Sequence, residues 1–258
     1  MVSARFRKAP ARLGLLLAAV LPRIDSARAD VPIGVDGLSA GGGVTLTSDY
    51  IYRGVSQSDG HAALQGDLHL ASGGGTFLGV WASSRDRDLE PGAAAVTEIY
   101  LGHRFALSGN WDLTAAAHSH YYLGNGGYEP SDDYQEVSAA VTYLDRWSFS
   151  VTAIPNAVRY WVYTRLSRCP AWVAEASGQW LIGEHFFVTG GAGYYYSIGT
   201  GPGIERATGY AYGNLGVAYE LRNWRLDVGY FAAQDAARRS FPYPPASQHV
   251  AATLAWHF

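Results

Sequence analysis

Twelve stretches of the chain alternate hydrophobic and polar side chains at every second position, the pattern of a β-strand with two different faces. In the first stretch, Val44, Tyr50 and Tyr52 leave one face, and Asp49 and Arg53 leave the other. Charges keep to one face, as a bilayer requires, because an Arg facing lipid at the midplane costs about 2–4 kcal/mol. His103 in the fourth stretch falls on the other face, near a short turn where water is close. The stretches lie near 44–53, 62–71, 76–84, 96–107, 111–122, 134–143, 147–154, 172–182, 185–196, 210–221, 223–233 and 248–258.

The links between these stretches alternate in length. Every second link is a short turn such as LSGN, LDR or LRN, whereas the others are long, the longest being IPNAVRYWVYTRLSRCPA. A soluble sandwich has no physical reason to keep every second link short. Outer-membrane barrels show this alternation, because they combine short periplasmic turns with longer extracellular loops and an even strand count. The pattern predicts an all-β chain forming a single transmembrane antiparallel β-barrel of about 12 strands.

The beginning of the chain has the pattern of an export signal. Basic residues precede a short apolar run at 13–21, and Ala27 and Ala29 have the small-x-small spacing of a cleavage site. The run is about nine residues long, shorter than the roughly twenty that a spanning helix needs. We expect a removed signal peptide at 1–29, an N-terminal periplasmic segment at 30–43 and an outer-membrane barrel at 44–258.

Composition supports a membrane barrel and excludes one class of partner. The chain has 31 Gly, 18 Tyr and 8 Trp, and only 16% of its residues are charged. Aromatic side chains prefer the interface between membrane and water, and a group of tryptophans next to the short turns fits that position. This group is Trp111, Trp147, Trp180, Trp224 and Trp256. A net charge of -3 gives no general attraction for nucleic acid, so none is expected as a partner.

The first stretch and the link after it carry a recognisable motif. SDYIYRGVSQSDG resembles the signature of the TorF-type porin family of proteobacterial outer-membrane β-barrels, and YLDRWSFSV is also similar. The residues that carry the match are Ser48, Asp49, Tyr50, Tyr52, Arg53, Gly54, Ser56 and Gln57. The resemblance implies an exported barrel of twelve-strand type, and it adds little about what the barrel transports.

Period two also predicts which charges face the barrel lumen. The candidates are Asp49, Arg53, Asp67, Glu98, Arg104, Asp112, His118, His120, Glu136, Glu175, Glu220, Arg225 and Asp227. Acids outnumber arginines among them, so an open pathway should favour cations or neutral solutes. Alternatively, these charges pair with one another and plug a narrow barrel, because this strand number lies between filled and open types.

Two histidines in AHSHYY raise an enzyme hypothesis. A serine nucleophile needs its base within hydrogen-bond reach, but Ser119 leaves the opposite face from His118 and His120. The two histidines could hold a metal together, yet spacing marks no third ligand. The sequence therefore predicts no catalytic residue, no metal and no cofactor. Cys169 is interpreted as an incidental loop residue.

The last stretch, VAATLAWHF, places Trp256 and Phe258 on its hydrophobic face. As a final strand, it would close against the first and leave no sheet edge unpaired. Its terminal aromatic resembles the signal read by the barrel-assembly machinery, so Trp256 and Phe258 are predicted to be that signal. Other predicted partners are outer-membrane lipids and lipopolysaccharide, the latter through Arg238 and Arg239, and small solutes.

Three functions follow from these predictions. The first is a porin or channel for passive passage of small solutes, with a cation or neutral preference. The alternatives are a lipid-modifying outer-membrane barrel enzyme, and a closed barrel that serves a structural or surface-binding role through its long loops.

Overall fold

The computed structural model describes residues 30–34, 37–87, 93–124, 133–161, 165–198, 208–240 and 248–258. The predicted signal peptide, 1–29, lies outside these residues. In the described part of the chain, no helix has the length and apolarity needed to cross a membrane.

Within these described ranges, twelve long antiparallel strands form the structure, as the alternation predicted. They are β1 Leu38–Thr47, β2 Ala63–Ser72, β3 Thr76–Ser84, β4 Ala95–Ser108, β5 Trp111–Leu123, β6 Tyr134–Tyr143, β7 Trp147–Trp161, β8 Arg165–Leu181, β9 Phe186–Ser197, β10 Thr208–Leu221, β11 Trp224–Ala233 and β12 Gln248–His257. Each strand pairs with the next, and β12 pairs with β1, with Thr253 opposite Thr47 and His257 opposite Gly43. The sheet is therefore a closed barrel.

The outer surface of the barrel is hydrophobic and the interior is polar. Leu215 is 64% exposed and Val250 is 70% exposed on the outside, whereas Glu98 and Arg225 are buried inside. This inversion of a soluble core suits a barrel whose outer face meets lipid. The five tryptophans expected near the short turns are all exposed at that end, where Trp147 and Trp180 meet edge to face.

Short turns occupy one end of the barrel, at 73–75, 109–110, 144–146, 182–185 and 222–223. We call this end the short-turn end and the opposite one the long-loop end. A short strand, Val31–Pro32, pairs with Ser39 and Ala40 of β1 at the short-turn end. It continues the edge of the sheet where the pairing with β12 stops. A 3-10 helix, Asp235–Ser240, follows β11 at the long-loop end.

The bounds of the first strand differ from the prediction. Strand β1 covers Leu38–Thr47, so residues expected in the periplasmic segment 30–43 belong to the barrel, and 48–53 leave the sheet. Tyr50 and Tyr52, expected on the lipid face, point inward, and Tyr50 is buried. The alternating sequence pattern continues past Thr47 although the strand ends there. Beyond Thr47 the chain turns into the barrel, where serine hydroxyls donate hydrogen bonds to Asp49.

The longest link, IPNAVRYWVYTRLSRCPA, was predicted as a loop, and this was wrong. Strands β7 and β8 run on to Trp161 and from Arg165, so the region is a long hairpin. Its register shifts between Ile154 and Ala157, around Pro155. Proline lacks the N–H that a ladder needs and is tolerated at such irregularities, so it interrupts the sequence pattern without ending the strand.

Candidate functional site

The residues between β1 and β2, 48–62, fold into the barrel, and we call them the inward segment. Its middle part is a small hairpin in which Ile51 pairs with Ser56 and Tyr52 with Val55. Arg53 and Gly54 form the turn, with φ of 50° and 76°. Two successive positive φ values match the turn that best fits the twist of a two-residue hairpin. Almost every side chain from 49 to 58 is buried.

Asp49 holds the base of the inward segment together. Its carboxylate accepts hydrogen bonds from the Ser56 and Ser58 hydroxyls at 2.5 and 3.1 Å, and His249 Nδ1 lies 3.0 Å from it. The Tyr50 N–H donates to Ser58 Oγ at 2.8 Å. Burial raises the pKa of Asp49, but the histidine and the two hydroxyls outweigh it and lower the pKa below its ordinary value. The carboxylate therefore stays ionised.

Arg53 attaches the tip of the inward segment to the barrel wall. Its guanidinium donates to both oxygens of Glu136 on β6, at 2.8 and 2.9 Å, and both side chains are 5% exposed. The Tyr52 hydroxyl adds a third hydrogen bond to Glu136, at 3.0 Å. Burial lowers the pKa of Arg53, but Glu136 more than compensates, and the pKa is raised well above its ordinary value. This is a two-pronged, buried ion pair of the stronger kind.

The tip also packs against apolar side chains of several strands of the barrel wall. Val55 belongs to a buried apolar cluster with residues of four strands and of the 3-10 helix: Tyr134, Ile154, Ala157, Ala171, Val173, Tyr210, Tyr212 and Ala237. A Cβ added at Gly54 would lie 2.6 Å from the Tyr212 Cβ and 3.0 Å from the Ala233 Cβ. The inward segment therefore crosses the lumen in its long-loop half and fills it.

Beside the ion pair of Arg53 and Glu136, Glu98 on β4 and two histidines on β5 form a buried group. His118 places Nδ1 2.6 Å from a Glu98 oxygen and Nε2 3.3 Å from the Ser138 hydroxyl. His120 stacks on the Tyr134 ring with a centroid separation of 4.4 Å. Although the order acid, histidine and serine matches a hydrolytic triad, all three side chains are buried in the filled half of the lumen, away from lipid.

Two further carboxylates bind tyrosine hydroxyls. Asp67 accepts a hydrogen bond from the Tyr100 hydroxyl at 2.7 Å and contacts His69 Nδ1 at 2.8 Å. Glu175 accepts one from the Tyr212 hydroxyl at 2.7 Å. Neither carboxylate has an arginine among these partners.

The other two predicted lumenal arginines lie near the short-turn end. Arg104 donates at 2.7 Å to both Asp112 and Asp145. Arg225 donates to Asp227 at 2.7 and 2.8 Å, and it also contacts Glu220 and Gln179. Asp67, Arg104 and Asp112 keep part of their surface accessible to solvent, unlike the buried groups beside the inward segment.

The structure places all thirteen predicted lumen candidates inside the barrel and brings them into these groups. Sequence reasoning missed Tyr52, Gly54, Ser138 and Asp145. Tyr52 and Gly54 were part of the quoted motif. They lie inside the barrel only because the chain leaves the sheet after Thr47, which the strand pattern did not show. Asp145 lies in a short turn, where period two carries no information.

Ser119 lies on the opposite face of β5 from His118 and His120, as the sequence predicted, because alternate residues of a strand point to opposite faces. Among the described residues, no group of three or more His, Cys, Asp or Glu side chains is arranged to hold a metal ion. Cys169, expected in a loop, lies on β8, buried and 3.1 Å from the Ser197 hydroxyl.

At the barrel seam, Phe258 exchanges two backbone hydrogen bonds with Gly42, at 3.0 and 3.1 Å. Trp256 is exposed on the outer face, 5.3 Å from the Phe258 ring. Whether these two residues are an assembly signal stays a prediction.

Comparison with known proteins agrees with this architecture. Residues 34–160 match a family model described as a bacterial protein of unknown function (Gcw_chp), and this range includes the inward segment. No curated protein matches the chain. Among solved structures, the chain is similar to the NanC porin, with 9% identity, 83% of this chain and 97% of that one covered, and a TM-score of 0.55.

A second similar structure comes from work titled for the in-meso crystallization of membrane proteins, at 8% identity, with 85% and 83% of the two chains covered and a TM-score of 0.51. The KdgM porin aligns with a TM-score of 0.47 at 8% identity, over 85% of this chain and 98% of that one. At these identities the likeness concerns the fold. The barrel is porin-like.

Proposed function

We propose that this protein is an outer-membrane channel for passive passage of small solutes, with a preference for cations or neutral solutes. One observation carries the proposal: the lumen holds more carboxylates than its arginines neutralise. Arg53, Arg104 and Arg225 are paired with carboxylates, whereas four other carboxylates bind histidines or hydroxyls. These four are Asp49, Asp67, Glu98 and Glu175. Excess negative charge in a low-dielectric channel attracts cations and repels anions.

The location in the outer membrane is part of the same proposal. A hydrophobic exterior and an aromatic group at the short-turn end support it. The short turns would then face the periplasm and the long loops the cell exterior, in contact with lipopolysaccharide. The resemblance of 48–57 to TorF-type porins, the predicted signal peptide, and delivery by the barrel-assembly machinery fit this location.

A closed structural barrel is the second candidate, because the inward segment fills the long-loop half of the lumen. The lipid-modifying alternative has less support. Its histidines are buried in that filled half, and Ser119 lies on the other face of the strand.

Reconstitution in planar bilayers tests the proposal. We expect single-channel currents and, across a KCl gradient, a reversal potential of the sign that cation selectivity gives. Asp67→Asn should shift this potential towards zero, because it removes a solvent-accessible lumenal charge. The matched control is Asp59→Asn, which removes an equal charge from an exposed position of the same chain.

Folding is verified by heat-modifiable migration on gels. Folded protein that gives no current in any variant, including the Arg53 variants described below, would contradict the channel function. The closed structural barrel would then be the remaining candidate. Currents with anion selectivity would contradict the charge argument.

A further inference from the structure

The inward segment is attached very differently at its two ends. At its base, the Ser48 N–H and Oγ bond to Ala252 on β12, and Asp49 joins Ser56 and Ser58 within the segment. These bonds do not depend on the far wall. The hairpin therefore keeps its own shape, and its connection to β12, when the tip moves.

The tip, in contrast, is held by one ion pair, by hydrogen bonds of the Tyr52 hydroxyl with Glu136 and Tyr134, and by contact packing. Arg53 and Glu136 come from opposite sides of the lumen, and Tyr52 adds its hydroxyl to the same carboxylate. Arg53 Nε is buried and has no hydrogen-bond partner among the described groups. A buried ion pair loses much of its attraction to desolvation, and an unmet donor adds to that cost. The ion pair therefore contributes less to the net free energy of attachment than its geometry alone would suggest.

From this asymmetry we propose that the inward segment is a gate, hinged at Asp49 and latched by Arg53 and Glu136, which must release before a solute passes the long-loop half of the lumen. The inference rests on the proposed channel function. It also gives a role to the motif SDYIYRG: Asp49 forms the hinge, Tyr52 and Arg53 form the latch, and Gly54 allows the tip to approach Tyr212 and Ala233.

An accessibility reporter follows the gate independently of current. Cys169 is the single cysteine, so Cys169→Ser with Val55→Cys places one thiol at the tip, where residue 55 is 2% exposed. A water-soluble maleimide should label it slowly in the latched protein. Arg53→Gln removes the charge from the latch, and labelling should become several-fold faster.

Two further variants make the test specific. Arg53→Glu combined with Glu136→Arg restores an ion pair of reversed polarity and should slow the labelling again. His61→Asn is the matched control, because it breaks an exposed ion pair of the same segment, with Asp86 at 2.6 Å, and should leave the rate unchanged.

Single-channel recording of the same variants completes the experiment. We expect Arg53→Gln to give a several-fold higher open probability or conductance than the unaltered chain, and the reversed pair to bring it back. Equal labelling in latched and unlatched proteins, or currents that are measurable but equal in all of them, would overturn the gate and leave the channel standing. Faster labelling without current in any variant would overturn the gate's role in passage together with the proposed channel function.

Discussion

Arg225 shows how single residues in this lumen organise several others. It is 2% exposed and binds Asp227, Glu220 and Gln179, so one guanidinium serves two carboxylates on β10 and β11. The strand pattern predicted that these charges face inward. Glu220 lies directly opposite Arg225 in the hairpin and Asp227 is two residues further on, so these contacts are local. The pattern could not predict the contact with Gln179, which is 46 residues away.

We expect Arg225→Gln to lower the free energy of unfolding by about 3 kcal/mol, because it leaves two partly buried carboxylates without the counter-charge of the buried guanidinium. Urea unfolding in lipid vesicles, followed by tryptophan fluorescence, measures this loss. Arg222→Gln is the control at an exposed position of the adjacent turn, where a change within about 0.5 kcal/mol is expected. Equal effects of the two substitutions would contradict the role of Arg225.

Gly54 and Gly60 form a natural comparison within the inward segment. Their φ angles are 76° and 75°, so alanine at either position meets the same backbone penalty of about 1–2 kcal/mol. At Gly54 the new Cβ would also overlap Tyr212 and Ala233, whereas at Gly60 it meets nothing within 4 Å. Gly54→Ala should therefore destabilise the protein more than Gly60→Ala in the same urea assay. Equal losses would show that the tip does not contact the far wall.

Strands are where the sequence was most informative. A strand that separates lipid from a polar lumen must alternate at every second position, so the faces of β5 and β11 follow directly from Trp111 and Trp224 and their neighbours. The two errors occurred where that rule stops applying. Past Thr47 the environment is protein on all sides, and around Pro155 a register shift breaks the period without ending the strand.

The two-faced strand makes a prediction about depth. Leu215 and Leu221 lie on the outer face of β10, the first opposite Gly190 in mid-strand and the second beside a short turn. Leu215→Arg should cost about 2–4 kcal/mol and Leu221→Arg about 0–1 kcal/mol, because the penalty for a charge falls towards the membrane surface. Unfolding from lipid vesicles measures both. Equal costs would contradict the position of β10 in the membrane.

At the scale of the whole molecule, the barrel consists of two unlike halves. The short-turn half holds the buried Arg225 together with charges that solvent still reaches, whereas the long-loop half is filled by the inward segment and tyrosines. Composition and periodicity predicted the barrel and the sign of its lumenal charge, and they left open whether the lumen is plugged. That question depends on contacts between 48–62 and four distant strands, which no local pattern encodes.

The seam between β12 and β1 has a kinetic consequence. Thr47 and Thr253 share a hydrogen bond across 206 positions of the chain, so the ring closes only by joining its first and last strands. Loop closure over such a separation is slow, and topologies dominated by distant pairings fold slowly. Until that contact forms, both outer strands expose unpaired N–H and C=O groups that hydrocarbon cannot satisfy. The rate-limiting event in reaching the mature fold is thus expected to be the meeting of its two ends.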